Sequence, residues 1–240
     1  MYETGNATPS CFYKFVPAGR YGDLTHGGRL FALKVVGVDH FNFETPASFE
    51  NGSSWDVEWV PIADPQTKSE STAAQGIALG AASFSRGEGA FYDSGYIYFT
   101  STDGGGVSEG QVYQYDPRRE RLTLIYESPD AASLNNPDNI AVSPRGGIIL
   151  CEDGDGDQRL VGLSLDGRAF DFALNDIRLS AADLAHVDSI FPGVAAAIEP
   201  ADYSGSEWAG ATFFGRWLFV NIQTPGITFA ITGPWERGIL

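Results

Sequence analysis

Cysteine is nearly absent from this chain: Cys11 and Cys151 are the two in 240 residues. Two thiols make neither a disulfide framework nor, by themselves, a structural zinc site. Basic residues are scarce too, with 15 lysines and arginines against 31 aspartates and glutamates, a formal charge of −16. That field repels phosphate backbones and argues against a nucleic-acid partner held on a basic surface. No apolar run approaches the roughly 20 residues of a membrane-crossing helix, so no membrane role is expected. Met1–Pro9 has neither a basic n-region nor an apolar h-region, and no signal peptide is visible. The chain also lacks a Gly-x-Ser-x-Gly elbow, a His-Glu-x-x-His pair and a Walker loop. His26, His40 and His186 are isolated, without ligand spacing.

What is plentiful is glycine (29), proline (13) and aromatic residues (13%), arranged in short bursts between turn signals. This favours an all-β fold. The arrangement repeats: segments 89–100, 140–151 and 210–220 each read as a strand, a tight turn with glycine and a more apolar second strand. A further hairpin follows the first two copies, over 111–126 and 160–172. Four strands per unit at a spacing of about 50 residues is the rhythm of β-propeller blades. About four such units fit into residues 1–240, read as a single domain, with the N-terminal one poorly defined. A ring needs about four to eight blades, so the chain can be part of a larger one. Ile177–Pro200 breaks the repeat, and Ser180–Val187 within it has the cap and spacing of a short helix.

In a propeller the innermost strands line the central channel, so residues at equivalent strand starts converge on the axis. Glu88, Asp138, Asn139 and Glu207 occupy those starts. Oxygen donors gathered without basic neighbours repel one another unless a cation sits between them, and Ca²⁺ accepts such a mixture of carboxylate and amide. The plainer reading is that these residues cap turns. Glu152 and Asp153 end the strand paired with the Asp138–Asn139 strand and are placed to face the same channel. Asp155 and Asp157 do not complete an EF-hand, because Gln158 stands where glycine is needed and Ser164 where the last glutamate is needed. Cys151 alternates away from Glu152 and reads as a core thiol. Arg86, two residues before Glu88, could clamp an anion bidentately, and cations with a guanidinium suit a phosphate ester.

Several stretches together resemble the PhoX-type alkaline phosphatase family: Arg86-Gly-Glu-Gly89, Tyr96–Gly106, Gly110–Pro117, Asn136-Pro-Asp-Asn139, Ser143-Pro-Arg-Gly146, Leu150-Cys-Glu-Asp-Gly154 and Phe219–Gly226. With Tyr13-Lys-Phe-Val16 they span nearly the whole chain. The resemblance implies a six-bladed propeller, exported to the periplasm or outside the cell, that hydrolyses small phosphomonoesters with Ca²⁺ and an iron (Fe³⁺) centre. It implies Glu88, Asp138 and Glu152 as metal ligands and Arg86 as the catalytic contact to substrate phosphate. Asn139, Asp153 and Glu207 rest mainly on the repeat geometry. The sequence departs from the family where its iron-ligating cysteine is expected, since neither Cys11 nor Cys151 has that context. The resemblance therefore implies a C-terminal portion of a PhoX-like protein, with an N-terminal companion chain as the partner that would complete the propeller. The other readings are a non-catalytic calcium-binding propeller module and a calcium-dependent lactonase-like hydrolase.

Overall fold

The computed structural model of the chain describes residues 9–20, 22–68, 70–238 and 240. Met1–Thr8, most of the stretch searched for a leader, lies outside the described residues. The structure divides into two compact units, Met1–Asp138 and Asn139–Leu240.

In the first unit Gly87–Asp93 and Tyr96–Ser101 form a hairpin, followed by a second of Gln111–Asp116 and Arg121–Glu127. The first turns on Ser94 and Gly95, whose positive φ angles of 49° and 92° match the strand twist. These are the hairpins that the repeat predicts. Arg121–Glu127 does not end the sheet, because Ser54–Ile62 pairs with it, Ser54 opposite Thr123. Gly28–Val35 and Tyr13–Pro17 continue outward, giving seven antiparallel strands. The N-terminal strands, least legible in the repeat, thus satisfy a strand edge that would otherwise be open. Alternation sends Tyr113 and Tyr115 into the core with Phe12, Phe43, Phe84 and Phe99. Their rings stack, Phe12 on Phe99 at 4.3 Å and Phe43 on Phe84 at 4.8 Å between centroids. A short helix, Thr72–Ala78, starts at the Ser71 cap.

The second unit holds a four-stranded sheet of Pro137–Val142, Ile148–Glu152, Arg159–Leu163 and Ala169–Leu174 in that order. The division between the units falls inside its first strand, after Asp138. Ile148–Glu152 is buried throughout, which is why it reads as a continuous apolar run rather than an alternating one. A second sheet comprises Trp208–Phe214, Trp217–Ile222 and Ile227–Thr232. Ile149, Cys151, Leu160, Trp208, Leu218 and Val220 form this unit's core. In the segment that interrupts the repeat, Arg178–Leu179 pairs with Ala201–Asp202 around the helix Ala181–Ile190. Ser180 and Asp183 cap that helix reciprocally.

Candidate metal centre

Strand boundaries place three carboxylates. Asp138 is the second residue of Pro137–Val142, Asp153 follows Ile148–Glu152, and Glu207 precedes Trp208–Phe214. One oxygen of each lies within 4.8 Å of the others, and all three residues are half-buried. At that spacing two like charges repel by about 1–4 kcal/mol, depending on how much water screens them. A divalent cation between them reverses the sign of the interaction. The Gln223 side chain donates to Glu207, and its backbone N–H donates to the Glu207 carbonyl at 3.1 Å. These bonds hold Glu207 in place.

Asp153 and Glu207 border a cleft of about 410 Å³ whose wall includes Asp202, Gln158, Gln223 and Thr224 but no lysine or arginine. Beside it, Gln158 is 4% exposed, and its Oε1 has no hydrogen-bond partner. A buried acceptor left in this state is costly. Nε2 of the same amide donates to the Gly154 carbonyl, which fixes the orientation of the group. Hydrogen bonds from the Ser204 hydroxyl and N–H hold the Asp202 carboxyl below its ordinary range, opposed by desolvation and helped by the Arg178 guanidinium 3.1 Å away. The donor set is hard oxygen throughout, which fits Ca²⁺.

The other sequence-predicted residues lie as follows. Glu152 is fully buried and accepts from Arg159 Nε at 2.8 Å, Nη2 at 2.7 Å and the Arg159 N–H at 3.1 Å. Its charge is matched by a guanidinium, and it is not one of the three grouped carboxylates. Asn139 Oδ1 accepts from the Ala211 N–H at 3.2 Å, joining the two sheets of the second unit. Glu88 lies 3.5 Å from Arg86, whose Nη1 donates to Asp103 Oδ1 at 3.1 Å. Asp155 and Asp157 are exposed. Cys11 and Cys151 are both fully buried. Burial pushes the Cys11 thiol up to about 11, opposed by a hydrogen bond with Tyr13. Among the described residues the grouped metal-ligating side chains are carboxylates alone, so the set does not fit a thiolate-held iron. Sequence reading missed Gln158, Asp103 and Asn136 as site residues, and only the polar letters within the quoted stretches marked the last two.

The sequence profile of the alkaline phosphatase PhoX family matches residues 1–226, and the chain belongs to that family. The fold agrees. The structure of Pseudomonas fluorescens PhoX in complex with vanadate, a transition state analogue, matches with a TM-score of 0.53 at 15% identity. The match covers 89% of this chain and 44% of that one, so this chain spans less than half the length of its solved relative. A chain provisionally named a gluconolactonase matches at a TM-score of 0.34 and 10% identity, covering 86% of this chain and 60% of that one. No curated protein matches the sequence. The all-β reading and the propeller likeness stand on the observed sheets and on the solved relative.

Proposed function

We propose that the chain serves a metal-dependent phosphomonoester hydrolase, acting in the periplasm or outside the cell. Asp138, Asp153 and Glu207 would hold a divalent cation, Ca²⁺ by donor chemistry, and Arg86 would bind the phosphate oxygens of the ester. The grouping of three carboxylates within 4.8 Å carries this reading. The solved structure of Pseudomonas fluorescens PhoX supports it, because that protein is in complex with vanadate, a transition state analogue. When bound, the cation would supply charge neutralisation for the departing alkoxide and the transferring group. The chain's own part is to orient. Asp138 is anchored through its backbone carbonyl, which accepts from the Thr100 hydroxyl at 2.9 Å, and the Pro137 carbonyl accepts from Thr102 at 2.9 Å. Arg86 offers a planar fork that matches two phosphate oxygens. The side chain is only 17% exposed, so its field is less screened than at a surface.

Elemental analysis of the purified chain, with a p-nitrophenyl phosphate assay with and without chelator, tests the proposal. The expected result is bound calcium, hydrolysis lost on chelation, and recovery when Ca²⁺ is returned. Calcium without hydrolysis would favour a binding module. Hydrolysis indifferent to chelation would overturn the metal assignment.

A further inference from the structure

Arg86 is held in an unusual way. Its backbone lies in the left-handed region at φ 39°, which is sparsely populated by residues with a side chain and persists only where the surroundings enforce it. Asp103 accepts from its guanidinium at 3.1 Å. The Arg86 carbonyl accepts from the Thr102 N–H at 2.9 Å, so the residue is gripped at both ends by neighbouring positions. Asp103 is itself fixed. Asn136, also left-handed at φ 49°, donates through Nδ2 to Asp103 Oδ1 at 3.2 Å, to the Thr102 carbonyl at 3.0 Å and to the Ser108 carbonyl at 3.0 Å. The position after Asp103 is tightly packed. A Cβ on Gly104 would lie 2.5 Å from Gln111 Oε1 and 2.7 Å from Ser101 Oγ.

We infer that Asp103 is a positioning residue, which, with Asn136 behind it, aims the Arg86 guanidinium at the oxyanion of the substrate. The inference rests on the proposed role of Arg86. Each terminal nitrogen of the guanidinium faces a carboxylate. Glu88 lies at 3.5 Å from one terminal nitrogen, Nη2, and Asp103 at 3.1 Å from the other, Nη1. Removing Asp103 leaves the charge of Arg86 in place but frees its rotamers, so binding of the oxyanion weakens while the cation site is untouched. Asn136 stands two residues before Asp138, so the same asparagine that steadies Asp103 also opens the strand that carries a metal ligand.

The test uses the full chain as wild type, Arg86→Ala, Asp103→Ala, Asp103→Asn and the Arg86→Ala/Asp103→Ala double variant. Vanadate affinity is measured by calorimetry, terbium luminescence reports the cation site, and KM and kcat are measured on p-nitrophenyl phosphate. Loss of a charge-assisted bond predicts a weakening of vanadate binding by about tenfold in Asp103→Ala, with KM rising more than kcat falls. Terbium binding is expected to be unchanged. Asp103→Asn, which keeps an acceptor oxygen, is expected to recover part of the affinity. The double variant is expected to bind no more weakly than Arg86→Ala, because Asp103 acts through the arginine. Additive losses, or an Asp103→Ala variant equal to wild type, would overturn the inference while leaving the phosphatase reading intact. A wild-type chain that does not bind vanadate would instead remove the role of Arg86, and the inference with it.

Discussion

At the residue scale the acids separate into two kinds that the sequence presents alike. Glu152 and Asp153 are neighbours, yet Glu152 turns into the protein against Arg159 while Asp153 joins Asp138 and Glu207. Their substitutions are expected to divide accordingly. Asp153→Asn and Glu207→Gln each remove one of the three grouped carboxylates and, if these hold the proposed cation, should lower Ca²⁺ affinity at least about tenfold, measured by calorimetry, with little change in melting temperature of the metal-free chain. Glu152→Gln should do the reverse. It leaves Arg159 partly buried with a weakened partner, a change that costs about 3 kcal/mol or more when a buried pair is broken, and the loss appears in thermal unfolding. Cys11 makes a third prediction. Its thiol, raised from 9.0 to about 11 mainly by burial, stays protonated in the folded chain while the unfolded chain ionises. Its contribution is fully present below pH 9 and declines as pH rises to 11, so alkaline destabilisation over that window should shrink in Cys11→Ala. Labelling of the native thiol by iodoacetamide at pH 8 should be correspondingly slow.

At the scale of elements, the turns fix where polar groups end up. Gly110 sits at φ 110°, and a Cβ there would lie 2.2 Å from Pro137 Cδ and 3.1 Å from the Thr102 carbonyl. The approach lets Asn136 accept its place, with its N–H donating to the Glu109 carbonyl at 3.0 Å. Gly110→Ala is expected to destabilise the chain by about 1–3 kcal/mol in urea unfolding and to raise KM by disturbing Asn136 and the Asp103 contact behind it. Hairpins of this kind were legible in the sequence because turn residues and alternation are local. The paired strands 87–101, 111–127, 137–152 and 208–222 fall close to where the repeat places them. The pairing of Ser54–Ile62 with Arg121–Glu127 was not legible, since it joins segments some 65 residues apart with no local signal. The site was readable in the same uneven way. Strand starts pointed to Asp138 and Glu207, and the strand end to Asp153, because position on a strand is a periodic property. The Arg159 partner of Glu152 and the Asp103–Asn136 support of Arg86 depend on side-chain directions around turns, which spacing does not encode.

At the scale of the whole molecule, an excess of 16 negative charges has two consequences that can be told apart. Diffuse repulsion between acids is relieved by any cation, in proportion to ionic strength, since screening depends on concentration and valence rather than on identity. A built site responds instead to one ion's size and ligand demand. Ca²⁺ tolerates irregular oxygen sets with long bonds, whereas Mg²⁺ demands a tight octahedron and keeps its own water. If Asp138, Asp153 and Glu207 form a site, Ca²⁺ at about a hundred times its dissociation constant stabilises the folded chain by about 2.7 kcal/mol, a rise of roughly 5–10 °C in melting temperature for a chain of this size. Mg²⁺ at the same concentration should give a clearly smaller rise, and NaCl at the same ionic strength smaller still. Asp153→Asn should abolish the difference between Ca²⁺ and Mg²⁺ while keeping the common screening effect, because it removes one charge of the 31 but a third of the grouped carboxylates. Equal melting temperatures in Ca²⁺ and Mg²⁺ for the wild-type chain would assign the three carboxylates to the general acidic field and not to a metal centre.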